Sequence, residues 1–443
     1  MRVTDRWVLP VVKREQLRDY VLYFYLFYVS AAGLPTLFAG TEPATGGTEG
    51  SILNQIVILG TLVAAWFAAS DLRLRDLCTG IWPLLPLLVL ILATIPWADY
   101  PDLSLRRAVR LTIEVLILAM IVGSYRDLDR LFRIATRTFA FVVLLDLLLL
   151  LVPSASFTDI GYRGLHGHKN SAGSFMLLAF PFFLITVRSG LPARFNVSSV
   201  MVLFSALVIL VLSQSKTSVL LLGVSTLLAT LLLFVFILRK GDRILFLSLV
   251  VGAVASVAML AALADFSLDD MLGLAISDRT FTGRDRIWEF TWYHISHAPI
   301  IGHGYGSFWG TPQTAPIVLR NRYEIYDEIE QAHNGYLDTL VQTGYAGLVL
   351  LIFLTVYIFA RLWRVQPLKK DRKYLFVCIY VMATFYLHNI TESSILRAGF
   401  DMWVMFLFAN FALLKMIGAR GADADAHVVA APVQQPRDGA RTT

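Results

Sequence analysis

The stretch MVLFSALVILVLSQSKTSVLLLGVSTLLATLLLFVFIL, residues 201–238, decides the fold class. It holds two apolar runs, and a run of about 20 apolar residues is long enough to cross a hydrocarbon core. Only Ser213-Gln214-Ser215-Lys216-Thr217-Ser218 separates them. A backbone in lipid must satisfy its own hydrogen bonds, so both runs are expected to be helices. A lysine in so short a break is costly near membrane depth, and such residues mark pathways or sites.

Working outward, the same character holds for the whole chain. Its 443 residues are 57% hydrophobic and 16% charged, with a mean hydropathy of +0.65. Soluble domains carry about 25% charge, so an ordinary soluble enzyme, a disordered chain and a nucleic-acid-binding module are excluded. The expectation is an all-α polytopic membrane protein with about 12 transmembrane helices. The candidate windows are 19–38, 51–70, 79–97, 107–124, 134–153, 171–187, 197–213, 217–238, 244–264, 334–360, 373–390 and 396–416. They divide the chain into an N-terminal transmembrane bundle (1–264, about nine helices), a large periplasmic loop (265–333), C-terminal transmembrane helices (334–416, about three) and a disordered cytoplasmic tail (417–443).

Basic residues collect in cytoplasmic loops. With the N-terminus inside, every inside segment of this arrangement is basic, from Arg2, Arg6, Lys13, Arg14 and Arg18 to Lys415, Arg420, Arg437 and Arg441. Both termini are then cytoplasmic, and the net charge of +6 is a topology signal rather than a nucleic-acid signal. Cys78 and Cys378 are too few for a disulfide framework or a thiolate metal site.

The long loop contains Trp288, Trp292, Tyr293, Phe308 and Trp309, enough apolar surface for a small subdomain. Seven of the eight histidines, all but His427, fall on or near the outer face. Histidine titrates near neutral pH and suits proton transfer. Three of the seven closely precede an amide, in His168-Lys169-Asn170, His333-Asn334 and His388-Asn389. The outward cations cluster as Arg106, Arg107 and Arg110, as Arg163 and Lys169, as Lys216 alone, as Arg279, Arg284 and Arg286, and as Arg397. Together they are candidates to hold a phosphate or diphosphate, with interfacial anchoring as the alternative for Arg106 and Arg107. Glu324, Asp327, Glu328 and Glu330 precede His333 and either orient it, bind sugar hydroxyls or form a solvated acidic face. Asp146 and Glu114 lie within spans, as helix-pair residues or as the seeds of a transport site. No His pair or Cys set has metal-ligand spacing, and no nucleotide-binding motif is present.

Several short motifs follow one another in order. They are Trp97-Ala98-Asp99-Tyr100-Pro101, Ser215-Lys216-Thr217 and Thr282-Gly283-Arg284-Asp285-Arg286-Ile287-Trp288. Next come Pro299-Ile300-Ile301-Gly302-His303-Gly304-Tyr305-Gly306, Ala332-His333-Asn334-Gly335-Tyr336-Leu337, Gly344-Tyr345-Ala346-Gly347-Leu348 and Asn389-Ile390-Thr391-Glu392-Ser393. In residues, order and spacing this set resembles the bacterial O-antigen ligase / Wzy polymerase superfamily over most of residues 97–410. The Ser-Lys-Thr form resembles its exopolysaccharide branch, the succinoglycan-type polymerases, because ligases usually carry arginine at the position of Lys216.

The resemblance implies a GT-C-like fold and a glycosyltransferase of the inner membrane, without metal or cofactor, working at the periplasmic face. It implies an undecaprenyl-diphosphate-linked glycan as substrate, with membrane lipid, a chain-length regulator or export proteins as partners, and no nucleic acid. Within it, His333 is implied as the base, and Arg284 as a diphosphate contact beside Lys216, Arg286 and Arg163. Asn334, His168, Asn170, Trp288 and Glu392 are expected in support. Repeat-unit polymerase, ligase and, from a different class, lipid-linked sugar transporter stay open at this point.

Overall fold

The computed structural model describes residues 11–31, 52–188, 193–238, 241–243, 284–323, 325, 329–364 and 369–429. The helices in chain order are α1 (Val11–Ser30), α2 (Ile52–Ala68), α3 (Leu74–Ile81), α4 (Leu85–Ala93), α5 (Pro101–Ser124), α6 (Leu128–Leu149) and α7 (Lys169–Arg188). They continue as α8 (Ala193–Leu212), α9 (Lys216–Ile237), α10 (Arg284–His297), α11 (Pro316–Tyr323), α12 (Gly335–Arg364), α13 (Arg372–His388) and α14 (Asp401–Val429). A two-stranded antiparallel hairpin, β1 (Phe157–Thr158) and β2 (Gly161–Tyr162), precedes α7.

Helices occupy much of each expected window among the described residues, although helix begins only at Asp401 in 396–416 and ends at Leu149 in 134–153; residues 32–38 of the first window and all of 244–264 lie outside the described residues. Among the described residues four helices are long and apolar enough to cross a membrane, those starting at Lys169, Lys216, Gly335 and Asp401. The window 79–97 holds a broken pair, α3 and the segment from Leu85 to Trp97, bent by 71°. Pro86 sits in the first turn of α4, where its missing N–H costs no helical bond. α14 runs on to Val429, so helix rather than disorder occupies the first part of the expected tail; residues 430–443 lie outside the described residues.

The N-terminal and C-terminal helices are not separate bodies, since α5, α6, α7, α13 and α14 share one apolar core. Phe132 and Phe139 of α6 meet Phe175 and Phe182 of α7, while Tyr374 of α13 and Phe408 of α14 close on Phe132. Away from the loop end, ion pairs lock the bundle. Buried Arg18 binds Asp71 at 2.7 Å, and Arg130 binds Asp19 at 2.9 Å and also Glu15. Removing Asp71 would leave the Arg18 guanidinium buried and uncompensated, a loss that typically costs about 3–5 kcal/mol.

The long loop has a second, smaller core. Ile287, Phe290 and Ile295 of α10 pack with Phe308, Trp309, Leu319 and the first turns of α12. The Trp309 indole donates to Asp338 Oδ1 at 2.7 Å, and the same oxygen accepts the Ala332 amide at 3.0 Å.

α12 is broken at Gly344, whose φ of 64° and ψ of −167° are far from helical. Tyr336 and Thr355, on opposite sides of the break, both reach Tyr386, so the two parts fold sharply toward each other. A helix break strands carbonyls on one side and amides on the other. Residues 299–304 satisfy both sets. The amides of His303 and Gly304 donate to the carbonyls of Val341 (2.9 Å) and Gln342 (3.0 Å). The amides of Tyr345 and Ala346 donate to the carbonyls of Pro299 (2.8 Å) and Ile300 (3.1 Å). The approach is so close that a Cβ on Gly344 would lie 2.3 Å from the Ile300 carbonyl. Gly344→Ala therefore combines a forbidden backbone region with a backbone clash. It should cost at least about 1–3 kcal/mol, read as a lower unfolding temperature of the purified protein in detergent.

Candidate functional site

His333, Glu392, Arg284 and Asn170 come together from four separate segments. The backbone is set first. Asn334 caps α12, its Oδ1 accepting the amides of Tyr336 (3.0 Å) and Leu337 (3.1 Å), the usual geometry of an asparagine N-cap. The Asn334 amide donates to Ser393 Oγ, and the Gly335 amide donates to the carbonyls of Asn389 (2.9 Å) and Glu392 (3.0 Å). Gly335 has no room for a Cβ, which would stand 2.0 Å from Asn389 Oδ1. His333 itself is held at a φ of 48°, a left-handed conformation uncommon for a non-glycine residue.

Fully buried Asn389 shapes the opposing segment. Its Oδ1 accepts the amides of Ser394 and Ile395, and its Nδ2 donates to the Phe385 carbonyl and Ser394 Oγ. This fold aims the Glu392 carboxylate inward. Oε1 accepts from Asn170 Nδ2 (2.9 Å) and Arg284 Nη2 (3.2 Å), while Oε2 lies 3.2 Å from His333 Nδ1. The second Arg284 nitrogen, Nη1, donates to the Thr391 carbonyl at 2.5 Å.

Burial alone would push the Glu392 pKa up, but the hydrogen bond from His333, with Arg284 beside it, outweighs this and holds the carboxyl below its ordinary 4.5. An ionised carboxylate only accepts, so Nδ1 of His333 must carry the proton it donates. The lone pair of the neutral ring is then on Nε2. The His333 side chain is 31% exposed, so the ring is within reach of a substrate. Gln331 stands beside the same nitrogen, with Nε2 3.5 Å from His333 Nδ1 and with its side-chain Oε1 accepting from Arg397 Nη1 at 2.5 Å.

Lys216 is the first residue of α9, exposed, and without a hydrogen bond or ion pair among the described residues. The preceding turn is built tightly, with Gln214 at a φ of 54° and Ser215 Oγ 2.9 Å from Ser218 Oγ. α7 passes so close that a Cβ on Gly173 would lie 2.7 Å from Ser215 Cβ. The start of α7, carrying Asn170, and the start of α9, carrying Lys216, thus stand side by side. Both helix N-termini present partial positive charge there.

The other expected residues take varied places. His168 is exposed, and its Nδ1 accepts the Asn170 amide at 3.2 Å, which caps α7. Trp288 donates from its indole to the Ala332 carbonyl at 2.9 Å, which holds the chain just before His333. Arg286 is exposed on α10, two residues beyond Arg284. Arg163 is partly buried in the segment after β2 and donates to the Ala155 carbonyl at 3.4 Å. Arg107 is committed to the loop, donating to the carbonyls of Gly306 (2.5 Å) and Trp309 (3.2 Å). Of the acidic run before His333, Glu330 is exposed, and Glu324, Asp327 and Glu328 lie outside the described residues, as does Arg279. The carboxylate at the histidine is Glu392, 59 residues further along the chain.

Asp146 is fully buried and bound to the Tyr162 hydroxyl (2.9 Å), the Leu165 amide (3.1 Å) and His166 Nε2 (2.9 Å). Burial lowers the His166 pKa, but Asp146 and Asp401 outweigh it and raise the value. Among the described residues no group of three or more His, Cys, Asp and Glu side chains is placed to hold a metal ion. Gln331 and Arg397 had no motif to single them out as neighbours of the histidine. The only hint was the position of Gln331 two residues before His333.

A model of the O-antigen ligase family matches residues 200–352. An exopolysaccharide production protein, ExoQ of Rhizobium meliloti (strain 1021), is 29% identical over 280 residues, which cover 60% of this chain and 61% of that relative. The chain resembles the O-antigen ligase / Wzy polymerase superfamily, on its exopolysaccharide side. It is a bacterial membrane protein with a largely helical build. The matched segment carries Lys216, Arg284, Arg286, Trp288, His333 and Asn334, and leaves Arg163, His168, Asn170 and Glu392 outside it. The chain spans about three fifths of the length of the curated relative it matches.

A carboxylate whose pKa is depressed by folding adds stability that is fully present above its unfolded value, and this is lost as pH falls through the folded one. For Glu392 the window therefore opens below its ordinary 4.5. In thermal unfolding followed from pH 8 to pH 3, the gap between wild type and Glu392→Gln should be widest above about pH 5 and close toward the acid end.

Proposed function

We propose that this protein is an inner-membrane glycosyltransferase that polymerises polyprenyl-diphosphate-linked oligosaccharide repeat units into exopolysaccharide. The observation that carries this reading is the His333–Glu392 pair. It sets His333 Nδ1 against the buried Glu392 carboxylate, leaves the imidazole 31% exposed, and brings Arg284 onto the same carboxylate. The acceptor hydroxyl gives its proton to His333 Nε2 as its oxygen attacks the anomeric carbon of the donor. The bond from that carbon to the diphosphate oxygen breaks, and the diphosphate leaves with the electron pair. One direct displacement inverts the anomeric centre. The activated diphosphate supplies the driving force, so no nucleotide is consumed and no metal is required.

Negative charge grows on the leaving diphosphate, and fixed cations stabilise it more in the transition state than before. Lys216 serves this role, with Arg286 and Arg163 in support. Arg284 divides its guanidinium between Glu392 and the Thr391 carbonyl, and thereby couples the diphosphate to the base. On this reading both termini are cytoplasmic and the site faces the periplasm.

The name of the matching family favours a second reading, transfer of finished glycan to a lipid A core or other acceptor. Lipid-linked sugar transport is the remaining class. Two features support chemistry over transport: Asp146 is spent on Tyr162, Leu165 and His166, and Glu114 Oε2 accepts the Gly399 amide.

A strain lacking the gene, complemented with wild type or His333→Ala, separates the three readings when its glycans are resolved by size. Single repeat units held on lipid, with polymer lost, are expected for the variant. Long lipid-linked polymer that never reaches an acceptor would mean ligase. Intermediates trapped on the cytoplasmic leaflet would mean transport and would overturn the site.

With purified protein in vitro, His333→Ala should lose about 10²–10⁴-fold in rate, the usual worth of general-base help. Lys216→Ala should raise the KM for the lipid-linked donor and lower kcat while the protein stays folded, because the side chain is exposed. A topology reporter fused after residue 443 should report the cytoplasm.

A further inference from the structure

The break in α12 and the turn that fills it carry an inference independent of the reaction. Residues 299–304 satisfy the carbonyls of Val341 and Gln342 and the amides of Tyr345 and Ala346, the groups that the break would otherwise strand. Non-helical backbone is tolerated at membrane depth only where its polar groups are satisfied in this way. The face turned outward is apolar. Ile300 is 70% exposed, Ile301 41% and Tyr345 47%. Below them on α12, Val349, Ile352, Phe353 and Val356 are exposed at a spacing that puts them on Tyr345's face of the helix. The bonds from Tyr345 and Ala346 to Pro299 and Ile300 fix the two isoleucines at the head of that stripe. No Asp, Glu, Lys or Arg occurs in residues 298–309 or 339–360.

We propose that residues 299–301 form a re-entrant turn that lies against phospholipid acyl chains at the site's side of the membrane, with Ile300 and Ile301 facing lipid. The turn continues the lipid-facing stripe of α12 across its break. The long loop is therefore held by the membrane as well as by its connection to α12. His303, next to the turn, passes this constraint on, because its carbonyl accepts the Asp99 amide at 3.1 Å and its Nδ1 lies 3.2 Å from Asp99 Oδ2.

The test uses the full chain in phospholipid nanodiscs, with Cys78→Ser as background and Cys378 left in place because it is buried. Nitroxide labels are placed singly at Ile300→Cys and Ile301→Cys, with Val349→Cys as the lipid control and Arg322→Cys as the water control. Power-saturation spectra are recorded with oxygen and with a neutral nickel chelate. At 300 and 301 oxygen should relax the label more than nickel does, as at 349, with the order reversed at 322. The proposal is overturned if 300 and 301 follow 322. Should the Ile300→Cys protein fail to purify as a single species, the less exposed position 301 reports the same contact. Enzyme activity is not read, so failure of the transferase reading leaves this result intact.

Discussion

The carboxylate of Glu392 is the point on which the site depends. Its two oxygens gather a side chain from the start of α7, another from the start of α10 and the histidine before α12. A buried carboxylate left alone would cost several kcal/mol in lost solvation. Here an arginine, an asparagine amide and an imidazole offset that cost, and each is held in place by doing so. One charge therefore explains three positions. The tautomer of His333 follows from the same contact, since the carboxylate can only accept.

The Glu392 node needs its own backbone to stay fixed, and two asparagines provide this. Asn389 folds the connection between α13 and α14 around its amide, and Asn334 caps α12 with its carbonyl. The two segments are stitched by the Gly335 amide, which donates to both the Asn389 and Glu392 carbonyls. The short motifs around His333 and Glu392 are thus two sides of one joint. The Gly-rich motif beginning at Pro299 has a different task, since its amides and carbonyls complete a broken helix. The glycines at 302 and 344 are needed because backbone meets backbone with no space for a Cβ.

Much of this was legible in the amino-acid order. Runs such as 217–238 read as helices because lipid leaves a polar backbone no other partner. The break at Lys216 read as a candidate site because the turn between two apolar helices is too short to be a free loop. His333, Arg284 and Asn170 were singled out by residue type and motif, and they meet. Glu392 was expected in a supporting part, but the acidic residues nearest His333 in sequence were the first candidates to orient it. Sequence distance misled there, because a contact across 59 residues depends on how α12, α13 and the joint at Asn389 pack. Arg107 read as a phosphate contact or an interfacial anchor, and in the fold it donates to the carbonyls of Gly306 and Trp309.

Composition and run length set the class of the molecule, because they settle where a chain can find a favourable solvent. The sequence also supplied the residue types available for proton transfer and for holding an anion, since those properties belong to the side chains. Only the tertiary structure decided which nitrogen of His333 is free, which carboxylate faces it and why α12 tolerates a break. These depend on distances of about 3 Å between segments far apart in the chain, and no local pattern encodes such distances.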